Sequence, residues 1–328
     1  MLAYAIRRLL IAIPVLLVAS MIVFALTQFT GDPVEEKYAA RNPPVPQQTI
    51  DIERKRLHLD DPVVVQYGNW IKNLVTKGDW GPSINAAGNI GDELSRRVVV
   101  TLRLVIFAML LALVLAVISG VLSATKQYSW LDYIFTFFGF LFLAMPAFWV
   151  AVLLKQGALS YNEATGTRTF YTIGARSVET EPGLWNTIAD IFGHSILPTL
   201  SLALITYAAW SRFQRSSMLE VLNSDYVRLA RAKGLSQRKV LTRHALRTAL
   251  IPMTTVSALG IATVIGGAVI TETVFEWQGM GRYLIDSIAT RDRYAIMGWL
   301  LIAGIFVVVG NLVADILYGV LDPRIRYE

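Results

Sequence analysis

The sequence predicts an all-α polytopic membrane protein with about six transmembrane helices, both termini cytoplasmic, and a small extracytoplasmic insertion after the first helix. Three observations predict it. Hydrophobic residues make up 54% of the chain and charged residues only 16%, more apolar material than an ordinary soluble domain can bury. Several apolar runs reach the roughly 20 residues that a helix needs to cross the hydrocarbon core. The basic residues gather beside those runs, as topology signals do, and one loop is far more basic than the others.

The first element, residues 1–30, carries an apolar run at 9–26 behind Arg7 and Arg8. A cleaved signal peptide shares that charge order, but the run is long and no small-residue cleavage site follows it, so it reads as an uncleaved first helix. Residues 31–103 form the insertion. Its ten basic and ten acidic residues cancel. Turn chemistry lies at Asn42-Pro43-Pro44, Asp61-Pro62 and Gly78-Asp79-Trp80-Gly81, and an aromatic-bearing helical stretch covers 64–75. The core, 104–328, holds five further runs at 104–122, 133–154, 191–210, 249–270 and 295–321. The run at 191–210 is the weakest, because His194, Ser195 and Pro198 stand at its start. A second outer segment, 156–190, is polar, with Tyr161, Phe170, Tyr171 and Trp185 to give it partial order.

The loop at 212–247 sets the orientation. It holds nine basic residues against Glu220 and Asp225, a net +7, and such an excess in a short loop marks the cytoplasmic side. Six spans then place Arg7 and Arg8 at one end, and Arg324 and Arg326 at the other, on that same side. Zero cysteines exclude disulfides, thiolate metal sites and cysteine nucleophiles. His58, His194 and His244 have no ligand spacing, so no metal is expected. No cluster of catalytic groups stands out, and no phosphate loop exists: Gly279 and Gly281 are not followed by the lysine and hydroxyl residue that cradle phosphates. Any ATP hydrolysis belongs to another subunit. The net charge of +6 could suit nucleic acid, but the basic residues flank apolar runs, and no nucleic-acid partner is expected.

Within the basic loop, Asn223-Ser224-Asp225 supplies N-cap chemistry, 226–233 reads as a short helix, and Gly234 is placed to end it in a left-handed C-cap. Ser236 caps a second helix that continues through His244 into the run at 249–270. The short helix presents Tyr226, Val227, Ala230 and Gly234 at helical spacing, among Arg228, Arg231 and Lys233. Small and apolar residues among charges suit docking into a groove on a soluble partner. A polybasic loop is equally drawn to the anionic lipid of the bilayer, at about 1 kcal/mol per basic residue. Periodicity alone leaves the two readings level.

The residue order separates them. Asp225-Tyr226-Val227-Arg228-Leu229-Ala230-Arg231-Ala232-Lys233-Gly234-Leu235, followed by Arg243-His244-Ala245-Leu246-Arg247-Thr248-Ala249-Leu250-Ile251-Pro252, resembles the coupling-helix signature of bacterial ABC importer permeases. More narrowly it is similar to the first permease of the dipeptide, oligopeptide and nickel importers. Gly31-Asp32-Pro33, Leu59-Asp60-Asp61-Pro62, Val65-Gln66-Tyr67, Gly78-Asp79-Trp80-Gly81, Met145-Pro146-Ala147-Phe148-Trp149 and Leu321-Asp322-Pro323-Arg324-Ile325-Arg326 extend the likeness over nearly the whole chain. The chain departs from the wider pattern at Arg228 and Leu229, which replace the first two residues of Glu-Ala-Ala. It departs again at Arg247 and Gln278, where prolines are usual.

The resemblance implies the type I importer permease fold in a bacterial inner membrane. It implies a permease subunit of an ATP-driven importer for di- and oligopeptides, a transport subunit and not an enzyme, forming half of the translocation pathway. Its partners would be a second homologous permease, two ATPase subunits and an extracytoplasmic substrate-binding protein. The chain itself would hold no cofactor, ATP and magnesium belonging to the ATPase subunits. Coupling would run through Asp225, Tyr226, Val227, Ala230, Arg231, Lys233, Gly234 and Leu235. Pro146, Phe148, Gly266, Gly267 and Glu272 are the candidate lining of the pathway. The alternative class is a gradient-driven secondary transporter or channel subunit; a secondary transporter calls for inverted repeats and broken helices with a midplane ion site, and neither is legible in the sequence.

The remaining polar and special residues carry structural expectations. Asn311 and Asp315, four apart on one helical face, are expected to make interhelical hydrogen bonds rather than an ion relay. Pro14, Pro146 and Pro198 are expected to kink their spans. Gly260, Gly266 and Gly267 permit close helix approach. Glu272 and Glu276 are expected as solvated charges at an interface.

Overall fold

A computed structural model describes residues 2–39, 43–84, 89–179 and 182–321, and all regular structure among them is helical. Asn42 and the C-terminal motif at 322–326, with Arg324 and Arg326, lie outside the described residues. The helices are α1 (Leu2–Thr27), α2 (Pro33–Ala39), α3 (Gln47–Arg56), α4 (Val63–Lys77), α5 (Ile90–Thr125), α6 (Trp130–Ala144) and α7 (Ala147–Thr165). After them come α8 (Leu184–Leu222), α9 (Asp225–Ala232), α10 (Gln237–Lys239), α11 (Leu246–Val274), α12 (Met280–Ala289) and α13 (Arg293–Leu321).

Among the described residues, four segments are long and apolar enough to cross a membrane, Ile6–Thr30, Ile90–Thr125, Leu184–Leu222 and Arg293–Ile316, and a bent helix pair makes up to five. They contain the expected runs at 9–26, 104–122 and 191–210 and most of that at 295–321. The run at 249–270 lies within α11, whose 29 residues are about 43 Å long at 1.5 Å per residue. With 36 and 39 residues, α5 and α8 are about 54 and 58 Å long, well beyond a hydrocarbon core of about 30 Å, so their polar ends project out of it.

The run at 133–154 is not one helix, contrary to expectation. It breaks into α6 and α7, bent by 109°. Met145 has φ −80° and ψ 134°, an extended conformation, because the ring of Pro146 excludes a helical residue before it. Pro146 then opens α7, its carbonyl accepting from Trp149 N at 2.9 Å. Pro14 and Pro198, by contrast, sit inside continuous helices.

The chain folds as two compact units, and the division falls within α5 and within α13. One unit takes residues 2–101 with 278–308. Its core is Phe24, Trp70, Ile90, Leu94, Met280, Tyr283, Tyr294 and Met297. The expected helical stretch at 64–75 is α4, and Gly78 closes it in the left-handed region at φ 65°. Trp70 Nε1 donates to Trp80 O at 3.0 Å, which folds the Gly78-Asp79-Trp80-Gly81 turn over α4. Gln66 donates to Asp61 O at 2.8 Å and so fixes the turn ahead of α4. Asp292, 3% exposed, accepts from Ser83 Oγ at 2.6 Å and Ile84 N at 2.9 Å, tying the turn before α13 to the segment after α4.

The other unit takes residues 102–277 with the chain from 309 onward. Here α8 is the central helix, packed by α6, α7 and α11. The second outer segment proves ordered where it is described. Asn162 makes paired hydrogen bonds with the backbone of Phe170, and Asp190 accepts from Ser177 N at 2.9 Å and Ser177 Oγ at 2.6 Å. Tyr171 stacks on buried His194, ring centroids 4.1 Å apart.

Candidate functional site

The predicted helix-turn-helix is present. Helix α9 covers Asp225–Ala232, one residue ahead of the expected 226–233 at each end. Ser224 occupies the N-cap position with extended φ and ψ, but its side chain does not cap: the hydroxyl donates backward to Val221 O at 2.6 Å. Asp225 instead pairs with Arg228 at 2.7 Å on the open surface, where such a pair contributes little. The C-terminal end follows the sequence closely. Gly234 has φ 76°, its N–H bonds to Arg231 O at 3.0 Å, and Leu235 N reaches Ala230 O at 3.4 Å. Those two bonds are the pair that satisfies the last carbonyls of a helix closed by a left-handed glycine.

Residues after Ser236 continue as one helical rod into α11, with α10 followed by a π-turn at Val240–Ala245. The extra residue per turn lets Val240 and Ala245 both face inward, where each is buried.

The eight sequence-predicted coupling residues divide between two faces. Val227, fully buried, and Ala230, 6% exposed, pack with Ala124, Met218, Val240, Ala245 and Ala249 of the chain's own helices. They are therefore not available to a partner, and their role is to hold α9 on α8 and the π-turn. Tyr226, 44% exposed, and Leu235, 36% exposed, point outward, together with exposed Asp225, Arg231, Lys233 and Gly234. Sequence reasoning missed Leu229, which at 56% exposure is the most prominent apolar side chain of the outer face. Its signal was present: Leu229 is three residues after Tyr226, on the same helical face. Two apolar side chains ringed by Arg228, Arg231 and Lys233 offer hydrophobic contact and guanidinium or ammonium donors, a binding surface rather than a reaction centre.

The ends of three helices support this one. Arg215, near the end of α8, lies 2.9 Å from Asp132 at the start of α6, and Ser123 at the end of α5 bonds to both.

The pathway candidates are not gathered into one site. Pro146 and Phe148 stand exposed at the break between α6 and α7. Gly266 and Gly267 fall in α11, and their surroundings lie outside the described residues. Glu272, expected as a solvated charge, is fully buried in the last turn of α11. That end is packed rather than free: Lys155 Nζ caps Val274 O at 2.7 Å, Gly174 N bonds to Phe275 O at 2.9 Å, and Arg103 lies over the Trp277 ring at 4.9 Å. Glu276 is exposed, as expected. Of the other expectations, Gly260 does face a bulky neighbour, since a Cβ there would stand 2.8 Å from the Trp210 ring.

Known proteins resemble the chain along its length. Residues 112–327 match the family described as binding-protein-dependent transport system inner membrane component, and residues 1–116 match the N-terminal region described for such membrane components. The oligopeptide transport system permease protein OppB of Mycobacterium tuberculosis is 40% identical over 323 residues, 98% of each chain. The oligopeptide transport system permease protein AppB of Bacillus subtilis is 40% identical over 329 residues, all of both chains. Among solved structures, a chain of the MetNI methionine ABC transporter, determined in inward-facing conformations, superposes with a TM-score of 0.54. It covers 70% of this chain and 96% of its own at 16% identity, a likeness of fold. With family profiles spanning both halves, permease relatives matched end to end and helices suited to a bilayer, the chain belongs to the family of binding-protein-dependent transport system inner membrane components, multi-pass permeases of ABC importers.

Proposed function

We propose that this permease imports di- or oligopeptides, forms half of the translocation pathway beside a second homologous permease, and docks an ATPase subunit through α9. The full-length identity to relatives named as oligopeptide permeases supports the cargo. The single observation that carries the docking is the outer face of α9, where Tyr226 and Leu229 project among exposed cations while Val227 and Ala230 anchor the helix from behind.

In this reading six segments span the membrane, the bent α6–α7 pair being the third and α11 the fifth. Both termini and the 212–247 loop face the cytoplasm, in accord with the +7 charge of that loop. ATP and magnesium are held by two ATPase subunits, and this chain supplies no group to hydrolysis. An extracytoplasmic binding protein meets the outer segments. Closure of the ATPase pair shifts the permease between states through contacts that differ between them, with no chemistry in this chain. Leu229→Asp tests it. Complexes carrying the variant should insert normally, lose the ATPase subunits on purification and fail to take up labelled peptide. Retention of the ATPases with normal uptake would refute docking through α9.

A further inference from the structure

Ten residues before α9 begins, Arg215 holds Asp132 in a two-point grip, Nη2 2.9 Å from Oδ2 and Nε 3.0 Å from Oδ1. Asp132 is 3% exposed, and its remaining acceptor positions are also filled. The Ser123 hydroxyl donates to it, Tyr128 N donates at 3.0 Å and Thr136 Oγ1 at 3.3 Å, while Arg215 Nε also reaches Ser123 Oγ at 2.9 Å. One carboxylate thus collects donors from α5, the turn after it, α6 and α8.

The helices around the pair are pressed close. A Cβ at Gly120 of α5 would lie 2.8 Å from the Gln214 side chain and 3.0 Å from the Arg215 backbone nitrogen, and one at Gly139 of α6 would lie 3.4 Å from Ser211 Oγ. The approach is tight between α5 and α8 at Gly120 and an ordinary contact between α6 and α8 at Gly139, so the two-point grip is what fixes the register of α8 on α6.

A buried ion pair is poor evidence for stability, because apolar residues of the same shape often serve as well. What a bidentate guanidinium–carboxylate pair adds is fixed geometry. Its position shows what that geometry joins: α8, which carries α9, and α6, which ends at the 109° break at Met145–Pro146. We propose that Asp132 and Arg215 are positioning residues that carry displacement of α9 into α6, so that the broken span turns together with the docking helix. The proposal rests on the docking reading above.

The test uses the complete complex, with permeases, ATPases and binding protein, in proteoliposomes. The readouts are ATPase subunits retained, basal ATP hydrolysis, and uptake of a labelled tripeptide per ATP hydrolysed. Asp132→Asn should keep the ATPases and basal hydrolysis while uptake per ATP falls about tenfold, the scale of a coupling change of 1 to 2 kcal/mol. The chain has no cysteine, so Gly139→Cys with Ser211→Cys adds one pair that an oxidant can close between α6 and α8. In the Asp132→Asn background, oxidation should restore uptake per ATP and reduction should abolish it again, a rescue that a purely local role would not give.

An unchanged ratio in Asp132→Asn, or a lowered ratio that the crosslink leaves low, overturns the proposal. If Asp132→Asn loses the ATPases, Arg215→Lys decides: it keeps the charge but cannot make the two-point grip, and a graded fall in the ratio supports the proposal while a wild-type ratio overturns it. Failure of the proposed function is seen separately: a wild-type complex that takes up no tripeptide counts against the cargo, and a Leu229→Asp complex that keeps its ATPases counts against docking through α9.

Discussion

Gly234 allows the contribution of backbone conformation at the docking helix to be separated from that of packing. At φ 76° it lies in the left-handed region, and nothing stands within 4 Å of where a Cβ would be. Gly234→Ala therefore meets no steric clash, and its penalty is the conformational one alone, about 1 to 2 kcal/mol for an L-residue forced left-handed. That corresponds to roughly a 5- to 30-fold loss in the population of the closed C-terminus. The bonds at risk are those of Gly234 N and Leu235 N to Arg231 O and Ala230 O, so amide hydrogen exchange at 233–235 should quicken by that factor. The affinity of the purified permease for its ATPase should weaken in parallel, because the bound conformation is less populated. Gly234→Asn should recover part of the loss, since asparagine tolerates this region far better than alanine. Exchange in Gly234→Ala at the wild-type rate, or no difference between alanine and asparagine, would refute the strain argument.

Other consequences can be checked individually. Val227→Asp places a charge in a fully buried position and should lower the stability of the solubilised protein by roughly 3 kcal/mol or more, read as a fall in thermal unfolding temperature, whereas exposed Leu229→Asp should change it by less than about 0.5 kcal/mol. In α3, the hydrogen bonds and charge of Arg56 hold the Glu53 carboxyl below its ordinary value of 4.5, with Lys37 adding to the effect against the opposing influence of burial. The folded state then binds its proton less readily than the unfolded one, so this contribution to stability is present above about pH 4.5 and fades as pH falls below it. Amide protection factors along α3, corrected for the slower intrinsic exchange at low pH, should fall on acidification, and Glu53→Gln should flatten that response. Gly81→Ala should destabilise its unit more than Gly234→Ala does the loop, because φ 93° is joined there by a 2.8 Å approach to the Tyr294 ring; thermal unfolding of the two variants compares them.

The sequence made some features legible and hid others for physical reasons. Helix α9, its glycine stop and its basic surroundings are local, and local residues wrote them. The orientation of α9 was not legible, because an apolar residue three or four positions from another fits equally a chain's own core or a partner's groove, and here Val227 and Ala230 took the core while Tyr226 and Leu229 stand exposed. Pro146 was visible as a disturbance, yet a proline within a helix removes one hydrogen bond and can leave the helix continuous, as at Pro198, whereas here Met145 also left the helical region and the axis turned through 109°. Glu272 read as an outer charge because helix ends usually lie at a surface; the partners that pack this helix end, Lys155 on Val274 O and Gly174 on Phe275 O, come from distant parts of the chain. Asp132 and Arg215 are 83 positions apart, and the only local hint was a lone carboxylate opening an apolar run, a group that needs a partner there.

The two faces of α9 bear directly on how a docked permease can be driven. A partner's movement shifts the permease only as far as the contacts differ between its states, so a docking helix that could roll on its own support would absorb the movement. The inner face prevents rolling: Val227 and Ala230 share one packed cluster with Met218 of α8, Val240 and Ala245 of the π-turn and Ala249 of α11. Both helices leading away from α9 are thus fixed to it before any partner binds. The outer face, by contrast, is half-exposed apolar surface and solvent-exposed charge, which favours a contact that can be made and released. Firm inner packing beneath an exposed outer face is the arrangement expected of a lever in the proposed docking, and it places the most damaging substitutions at Val227 and Ala230, on the inner face.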